Sequence, residues 1–300
     1  MRDARADASF HLQSKIQNRK SKISRYPLPM LSSTFAWLCR NATMKKLLWR
    51  GLYQLLAMRN PGFDWQFMNY GYLPGLDEPA PTQLTPADEF NRLQIGLYHH
   101  LLQSASPHGK SILEVGCGRG GGLSYIHRYH QPAETVGVDF SAKVIQLCRR
   151  KYTGQKIQFQ PGDAEALPFD NNRFDCIINV ESSHCYPSME KFLAEAARVL
   201  KPGGHFLCAD FRDATQLPLL HQQVATSGLK QLSFRDITPR VLAAMDADTA
   251  TKLEHIRRSI PAPFRSSFSE FAGVTGSKIH NAFKTRETRY LSFTLQKPSQ

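Results

Sequence analysis

From Ser111 onward, short apolar runs alternate with longer stretches in which apolar residues recur every three or four positions. The runs predict strands at Ile112–Val115, Thr135–Val138, Ile157–Gln160, Cys176–Val180 and His205–Ala209. Between them, "SAKVIQLCRRKY" and "SMEKFLAEAARVL" carry helical spacing. Strand–helix alternation of this kind predicts an α/β fold, a parallel sheet covered by helices on both faces. Two more strand candidates, "KQLSFRDI" and "RYLSFTLQK", flank a helical, aromatic insertion that contains Phe264, Phe268, Phe271 and Phe283.

Upstream, Thr85-Pro86 opens a helix whose predicted apolar face is Phe90, Leu93, Leu97 and Leu101. Before it, "FMNYGYLPGL" is broken by Gly71, Pro74 and Gly75. Earlier still, "MKKLLWRGLYQLLAMR" sets Leu48, Leu52, Leu55 and Leu56 on one helical face, with Lys45, Lys46, Arg50 and Arg59 elsewhere. The favoured reading is a helix packing its leucines over the domain as part of a lid. The alternative is peripheral contact of this basic amphipathic helix with an anionic membrane surface.

Composition changes this picture in three ways. The formal charge is +13, but residues 1–50 hold eleven Lys/Arg against two Asp, and the remaining residues hold 27 basic against 23 acidic side chains. The folded part therefore lacks the basic footprint of a nucleic-acid binder. Residues 1–29 read as a disordered basic tail with a seven-residue echo, Ser14-Lys15-Ile16 and Ser21-Lys22-Ile23, and Met30 or Met44 is an alternative start. Asp3 and Asp7 argue against an organelle transit peptide. The six cysteines (Cys39, Cys117, Cys148, Cys176, Cys185, Cys208) show no C-x-x-C pair and no metal-ligand spacing, which suits a reducing cytosol and a site without metal. No apolar run approaches the roughly 18 residues of a membrane span and no secretory signal is visible, so a cytoplasmic location is expected, with membrane association only through the amphipathic helix.

The chemistry starts at "ILEVGCGRGGG", where Gly116, Gly118 and Gly121 have Gly-x-Gly-x-x-Gly spacing. That spacing alone is weak, because glycines also mark ordinary turns. Glu114, just before the turn, repels phosphate and suits a cationic ligand with an amino group. Asp139, about 20 residues on in "VGVDFS", stands where an acid takes a ribose diol. In "GDAEALPF", Asp163 and the Ala164 backbone are placed to read an adenine edge. Amino acid, ribose and adenine together specify S-adenosylmethionine.

"ILEVGCGRGGG", "VGVDFS", "GDAEALPF", "FDCIINVESSHCYP" and "RVLKPGGHFLCADF" resemble, in order and spacing, the motifs of class I S-adenosylmethionine-dependent methyltransferases. The resemblance implies a doubly wound, Rossmann-like sheet of seven strands whose last strand is antiparallel. It also implies helical lid elements at the N-terminal and C-terminal sides. "EFNRLQIGLYHHL", "VESSHCYPS", "LKQLSFRDIT" and "EFAGVTGSKI" extend the similarity to the mycobacterial phthiotriolone/phenolphthiotriolone dimycocerosate methyltransferases and related polyketide O-methyltransferases. Their activity implies O-methylation of a hydroxyl on a lipid or polyketide-type small molecule. The basic tail has no counterpart there, and the insertion matches only in patches. The expected organisation is a tail at 1–29, a helical N-terminal lid region at 30–105, a cofactor-binding core at 106–236, a substrate lid at 237–286 and the last core strand at 287–300.

The expected cofactor-binding set is Glu114, Gly116, Cys117, Gly118, Asp139, Phe140, Asp163, Ala164, Asn179 and Tyr70. Tyr70 and its neighbour Tyr72 resemble a lid element closing over the methionine end. The expected catalytic base is His184 in "VESSHCYP", because loops at the carboxyl ends of parallel strands face the ligand crevice and imidazole titrates near neutrality. Glu181 is the second candidate, as base, as the group orienting His184, or as a cofactor ligand. His99, His100 and Arg92 read as helix-surface or core residues. The acceptor is expected to be hydrophobic, and the oligomeric state is left open. The rival activities are C-methylation of a sterol, tocopherol or quinone-like prenyl lipid, a binding protein without turnover, and a dehydrogenase.

Overall fold

The structure is a computed structural model that describes residues 66–299 apart from 77, 82, 261, 263 and 264. The basic tail, the leucine-faced helix of 44–59 and Phe264 lie outside the described residues. Seven strands form one sheet: β1 Ser111–Val115, β2 Glu134–Asp139, β3 Ile157–Pro161, β4 Phe174–Val180, β5 Leu200–Asp213, β6 Lys230–Asp236 and β7 Thr288–Gln296. Their order is β3-β2-β1-β4-β5-β7-β6, with β7 inserted antiparallel between β5 and β6. The doubly wound sheet and its antiparallel last strand thus agree with the sequence reading. The strand order reverses between β1 and β4, and in open α/β sheets the crevice at that switch point, beyond the carboxyl ends of the strands, is where ligands bind.

The helices are α1 Pro86–Glu89, α2 Arg92–Leu102, α3 Gly121–His130, α4 Ala142–Lys151, α5 Met189–Val199, α6 Leu217–Ala225, α7 Thr238–Ser259, α8 Arg265–Ala272 and α9 Lys278–Thr285. Ser141 and Ser188 cap α4 and α5 by accepting the backbone N–H of Val144 and Lys191. Adjacent strand residues divide between the two faces. Leu113, Ile177 and Phe206 pack with Phe192 of α5, whereas Ile112, Ile178 and Leu207 pack with Ile95 and Leu97 of α2. This is the two-residue alternation of a strand with helices on both sides.

Two departures from the sequence reading have physical causes. The helix expected from Thr85 is interrupted, and Phe90 is 54% exposed instead of lying on its inner face. Asp88 takes the inward position because it accepts hydrogen bonds from Arg128 Nη2 (2.8 Å) and the Tyr129 hydroxyl (2.6 Å). A residue two places further along a helix then points outward. Leu93 is only half-buried, and the inner face of α2 is Ile95, Leu97, Tyr98, Leu101 and Leu102. The second departure is β5, which runs past Ala209 through the polar residues Asp210–Asp213 because β7 pairs with it as far as Asp213↔Thr288.

Phe192 is fully buried, edge-on to Tyr186 (4.9 Å) and Phe206 (5.5 Å). Phe192→Ala is expected to cost about 3–5 kcal/mol, the range for a large aromatic removed from a packed core. Urea unfolding checks this as a lower midpoint with little change in slope.

Candidate active site

The carboxyl ends of β1, β2 and β4 open onto a cavity of about 350 Å³. Its floor is the turn after β1. Gly116, Gly118 and Gly120 all have positive φ (75°, 50° and 76°), which side-chain-bearing residues rarely adopt. A Cβ on Gly116 would strike Ser182, while one on Gly118 would meet nothing within 4 Å. Gly116 and Cys117 donate their N–H groups to Val138 O, and Gly118 donates to Asp139 Oδ2 (3.0 Å). The turn is therefore pinned to the end of β2. Asp139 Oδ1 accepts from Ser141 N (2.9 Å), and burial pushes the carboxyl upward in pKa. A carboxylate has about four acceptor sites, so Asp139 keeps capacity for a hydroxyl in the cavity.

Gly116, Cys117, Gly118, Asp139, Phe140, Asp163, Ala164 and Tyr70 all line the cavity, together with Glu181 and His184. Two members of the expected set stand behind the wall. Glu114 lies beneath the turn, 1% exposed; Tyr98, whose ring does line the cavity, donates its hydroxyl to Glu114 Oε1 at 2.6 Å. Glu114 Oε2 is buried with no hydrogen-bond partner, and burial raises the carboxyl to about 8. Asn179 is wholly buried and donates Nδ2 to Val115 O (2.9 Å) and to the Tyr186 hydroxyl (3.1 Å). Its position shapes the wall through Tyr186 instead of forming it.

The wall's charge suits the expected cofactor. Asp139, Asp163, Glu165, Glu181 and Glu270 line it, against Arg119, Lys278 and His184. An acid-rich cavity with a buried, under-satisfied glutamate beneath its glycine turn favours a cation, and it disfavours the pyrophosphate that a dehydrogenase would need to hold.

At the end of β4, Glu181 has φ 44° and accepts on Oε1 from the Tyr70 backbone N–H (2.7 Å) and the Tyr290 hydroxyl (2.7 Å). Burial raises its carboxyl to about 7. His184 sits on the following short turn, Ser183–Cys185, with its ring stacked on Phe211 at 4.2 Å. Its partner is Asp210, which the sequence reading did not single out. His184 N donates to Asp210 Oδ2 (2.8 Å), and Nδ1 lies 2.8 Å from Oδ1. Asp210 also accepts from Ser183 Oγ (2.6 Å) and lies 3.2 Å from Arg212 Nη1. Burial opposes both charges, but the two partners favour each other's ionised form: Asp210 is held below the ordinary carboxylate range, and His184, with Cys185 also beside it, is raised to about 10. The signal that could have found Asp210 is the pairing of β4 with β5. An acid directly after the apolar run of β5 falls beside the loop that follows β4.

Tyr72 does not join Tyr70 at the cavity. Two residues apart in a regular extended segment they would share a side, but Gly71 between them has φ 90° and turns the chain. The Tyr72 hydroxyl therefore donates to Glu78 (2.6 Å) while its ring stacks on His100. His99, His100 and Arg92 lie outside the wall, and Arg92 pairs with Glu89. From the insertion, Glu270 and Phe271 of α8 and Lys278 and Ile279 of α9 reach the cavity, whereas Phe268 and Phe283 pack into hydrophobic clusters. Among the described residues no group of three or more His, Cys, Asp or Glu is arranged to hold a metal, and no helix is long and apolar enough to cross a membrane.

A methyltransferase domain family matches residues 113–208. The chain is 38% identical over 257 residues to the phthiotriol/phenolphthiotriol dimycocerosates methyltransferase of Mycobacterium leprae, covering 86% of this chain and 94% of that one. It is 36% identical over 249 residues to the fatty-acid O-methyltransferase of Mycolicibacterium smegmatis, covering 83% and 89%. Among solved structures, the cyclase SpnF superposes with a TM-score of 0.61 at 18% identity, covering 83% and 95%, a likeness of fold alone.

Asp139→Ala is expected to weaken S-adenosylhomocysteine binding by about 1–3 kcal/mol, the cost of a charged hydrogen bond. Gly116→Ala should weaken it further, because the new methyl meets Ser182 in a strained backbone. Calorimetric titration of both variants is the check, and unchanged affinity in Asp139→Ala would place the ribose elsewhere.

Proposed function

Because the chain belongs to the class I S-adenosylmethionine-dependent methyltransferases, we propose that it methylates a hydroxyl of a lipid or polyketide-type acceptor, with His184 as the base. The observation that carries this reading is the His184–Asp210 pair in the cavity wall. S-adenosylmethionine is the cofactor, and it supplies a methyl group already activated on a sulfonium. What remains for the protein is alignment and removal of the acceptor's proton. Asp139 and Asp163, with the glycine turn, are the residues assigned to the cofactor, and Glu114 acts on it only from beneath the turn. Asp210 fixes the His184 ring through Nδ1 and Cys185 hydrogen-bonds the same side chain; proton exchange with an acceptor in the cavity is assigned to this imidazole. Tyr70, Phe211, Phe271 and Ile279 give the acceptor side an apolar wall, which suits the lipid substrates that the two relatives' names describe.

The raised pKa of His184 bears directly on this role. Without ligand the ring is protonated at neutral pH. A cationic donor bound alongside disfavours the imidazolium and moves it toward the neutral form that a base requires. A second reading, C-methylation of a prenyl lipid, draws support from the rings of Tyr70 and Phe211 next to Glu181. Aromatic faces and a carboxylate are groups that stabilise a carbocation. Product analysis with labelled donor on matched alcohol and alkene acceptors separates the two.

His184→Ala is expected to lower turnover on an alcohol acceptor about 10²–10⁴-fold while leaving S-adenosylhomocysteine affinity nearly intact. Full activity would remove His184 from the mechanism. For the wild type, kcat/KM on an alcohol should rise with pH up to the raised pKa of the free enzyme, because only the neutral ring accepts a proton. Asp210→Asn removes the charge that raises this pKa, so the limb should move to lower pH while the plateau falls. A carboxylate acceptor would reverse the slope, since it needs the imidazolium and no base.

A further inference from the structure

The cavity must take both cofactor and acceptor, yet at about 350 Å³ it lies at the lower end of small-molecule pockets. Only the reacting end of a long-chain acceptor fits beside the cofactor, and the remainder of the chain has to leave across the rim. On the side of α8 and α9 that rim is mixed, with Phe271 and Ile279 beside Glu270 and Lys278. Phe271, 36% exposed, belongs both to the cavity and to a smaller pocket of about 40 Å³ that shares Phe67 and Met68 and continues to Phe90. Phe90, 54% exposed, has its ring 6.2 Å from that of His255 on α7. A line of apolar side chains, Phe271, Met68 and Phe90, thus runs from the cavity to the surface, with Asn91, Thr251 and Lys252 flanking it.

The charge around this path is not evenly spread. Residues 237–286 hold eight Lys/Arg against four Asp/Glu, whereas the rest of 51–300 holds nineteen of each. The surplus charge of this part of the chain therefore belongs to the insertion that carries the rim. Lys278 stands exposed in the rim itself. Arg258 follows His255 by three positions, on the same face of α7. Arg257 and Arg258 share one acid, Glu254, and their side chains are 68% and 75% exposed.

We propose that this rim docks on an anionic lipid surface, so that the acceptor's head enters the cavity while its tail stays in the lipid. The proposal rests on the lipid-acceptor reading above and adds where and on what the protein works. Exposed aromatic side chains flanked by basic ones are the combination that holds a protein at such an interface.

The test is co-sedimentation of the full chain with phosphatidylcholine vesicles, with and without phosphatidylglycerol. Wild type should bind the phosphatidylglycerol vesicles better. Arg257→Gln/Arg258→Gln should weaken that binding about thirtyfold, the scale set by losing two surface cations. Phe90→Ser should weaken binding to both compositions. Thermal melting and turnover of a short, soluble alcohol should match wild type in both variants, since neither site lines the cavity. Vesicle binding by both variants equal to wild type, or no vesicle binding by wild type, would overturn the proposal. Failure of the acceptor reading is recognised separately, as absent turnover on every hydroxyl acceptor whatever the vesicle result.

Discussion

Two carboxylates placed side by side set the terms for the rest of this molecule. β4 and β5 are parallel neighbours with Val180 opposite Ala209, so the next residues on each, Glu181 and Asp210, emerge together at the cavity. Adjacent buried acids cannot both ionise at little cost. The surroundings resolve this by treating them unequally. Asp210 receives His184, Ser183 and Arg212 and stays ionised. Glu181 receives only neutral donors, the Tyr70 amide and the Tyr290 hydroxyl, and burial raises it to about 7. Pairs of titratable groups pushed apart in this way mark acid and base assignments in enzymes.

The same two residues tie distant parts of the chain to one site. Through Tyr290, Glu181 fixes β7, whose backbone N–H at Tyr290 donates to Thr238 Oγ1 at the start of α7. Through Tyr70 it fixes the extended segment before α1. That segment is held from its other side by Asn69, which donates to Gln94 O, and Gln94 in turn donates to Asp248 of α7. Three stretches far apart in sequence therefore close around one carboxylate. The φ of 44° at Glu181 is a local strain that this set of hydrogen bonds sustains.

Much of this was legible from the residues alone, for reasons that can be stated. The parallel strands β1, β2, β4 and β5 are legible because buried parallel strands are continuous apolar runs. The remaining strands are legible as shorter candidates placed by the alternation and by the insertion they flank, and the glycine turn because positive φ admits few other residues. The places where the reading fell short are those where a partner far along the chain decides. The extension of β5 depends on β7, about 80 residues away, and Asp210 becomes visible only once β4 and β5 are known to be neighbours. Phe90 was placed inward by periodicity and turned outward by Arg128 and Tyr129 acting on Asp88. Glu114, whose charge suits a cationic amino group, and Asn179 belong to the expected cofactor-binding set but lie behind the cavity wall. Whether a side chain there faces the cavity or the layer beneath it depends on Tyr98 and Tyr186, which no local pattern reveals.

Charge in this protein is sorted by depth, and the sorting bears on turnover. The wall that faces the cofactor is acidic, while the insertion around the rim is basic. Methyl transfer turns a sulfonium into a neutral sulfide, so the product of the cofactor carries one positive charge fewer than the cofactor itself. An acidic wall of low polarity holds the more positive species more tightly, because Coulomb attraction grows as water is excluded. If the wall carboxylates hold the cofactor as proposed, they favour the sulfonium over its neutral product, and the chemical step weakens that hold. The basic rim plays no part in that discrimination. Its separation from the acidic wall lets one small cavity attract a cation within while the surface around it attracts anions.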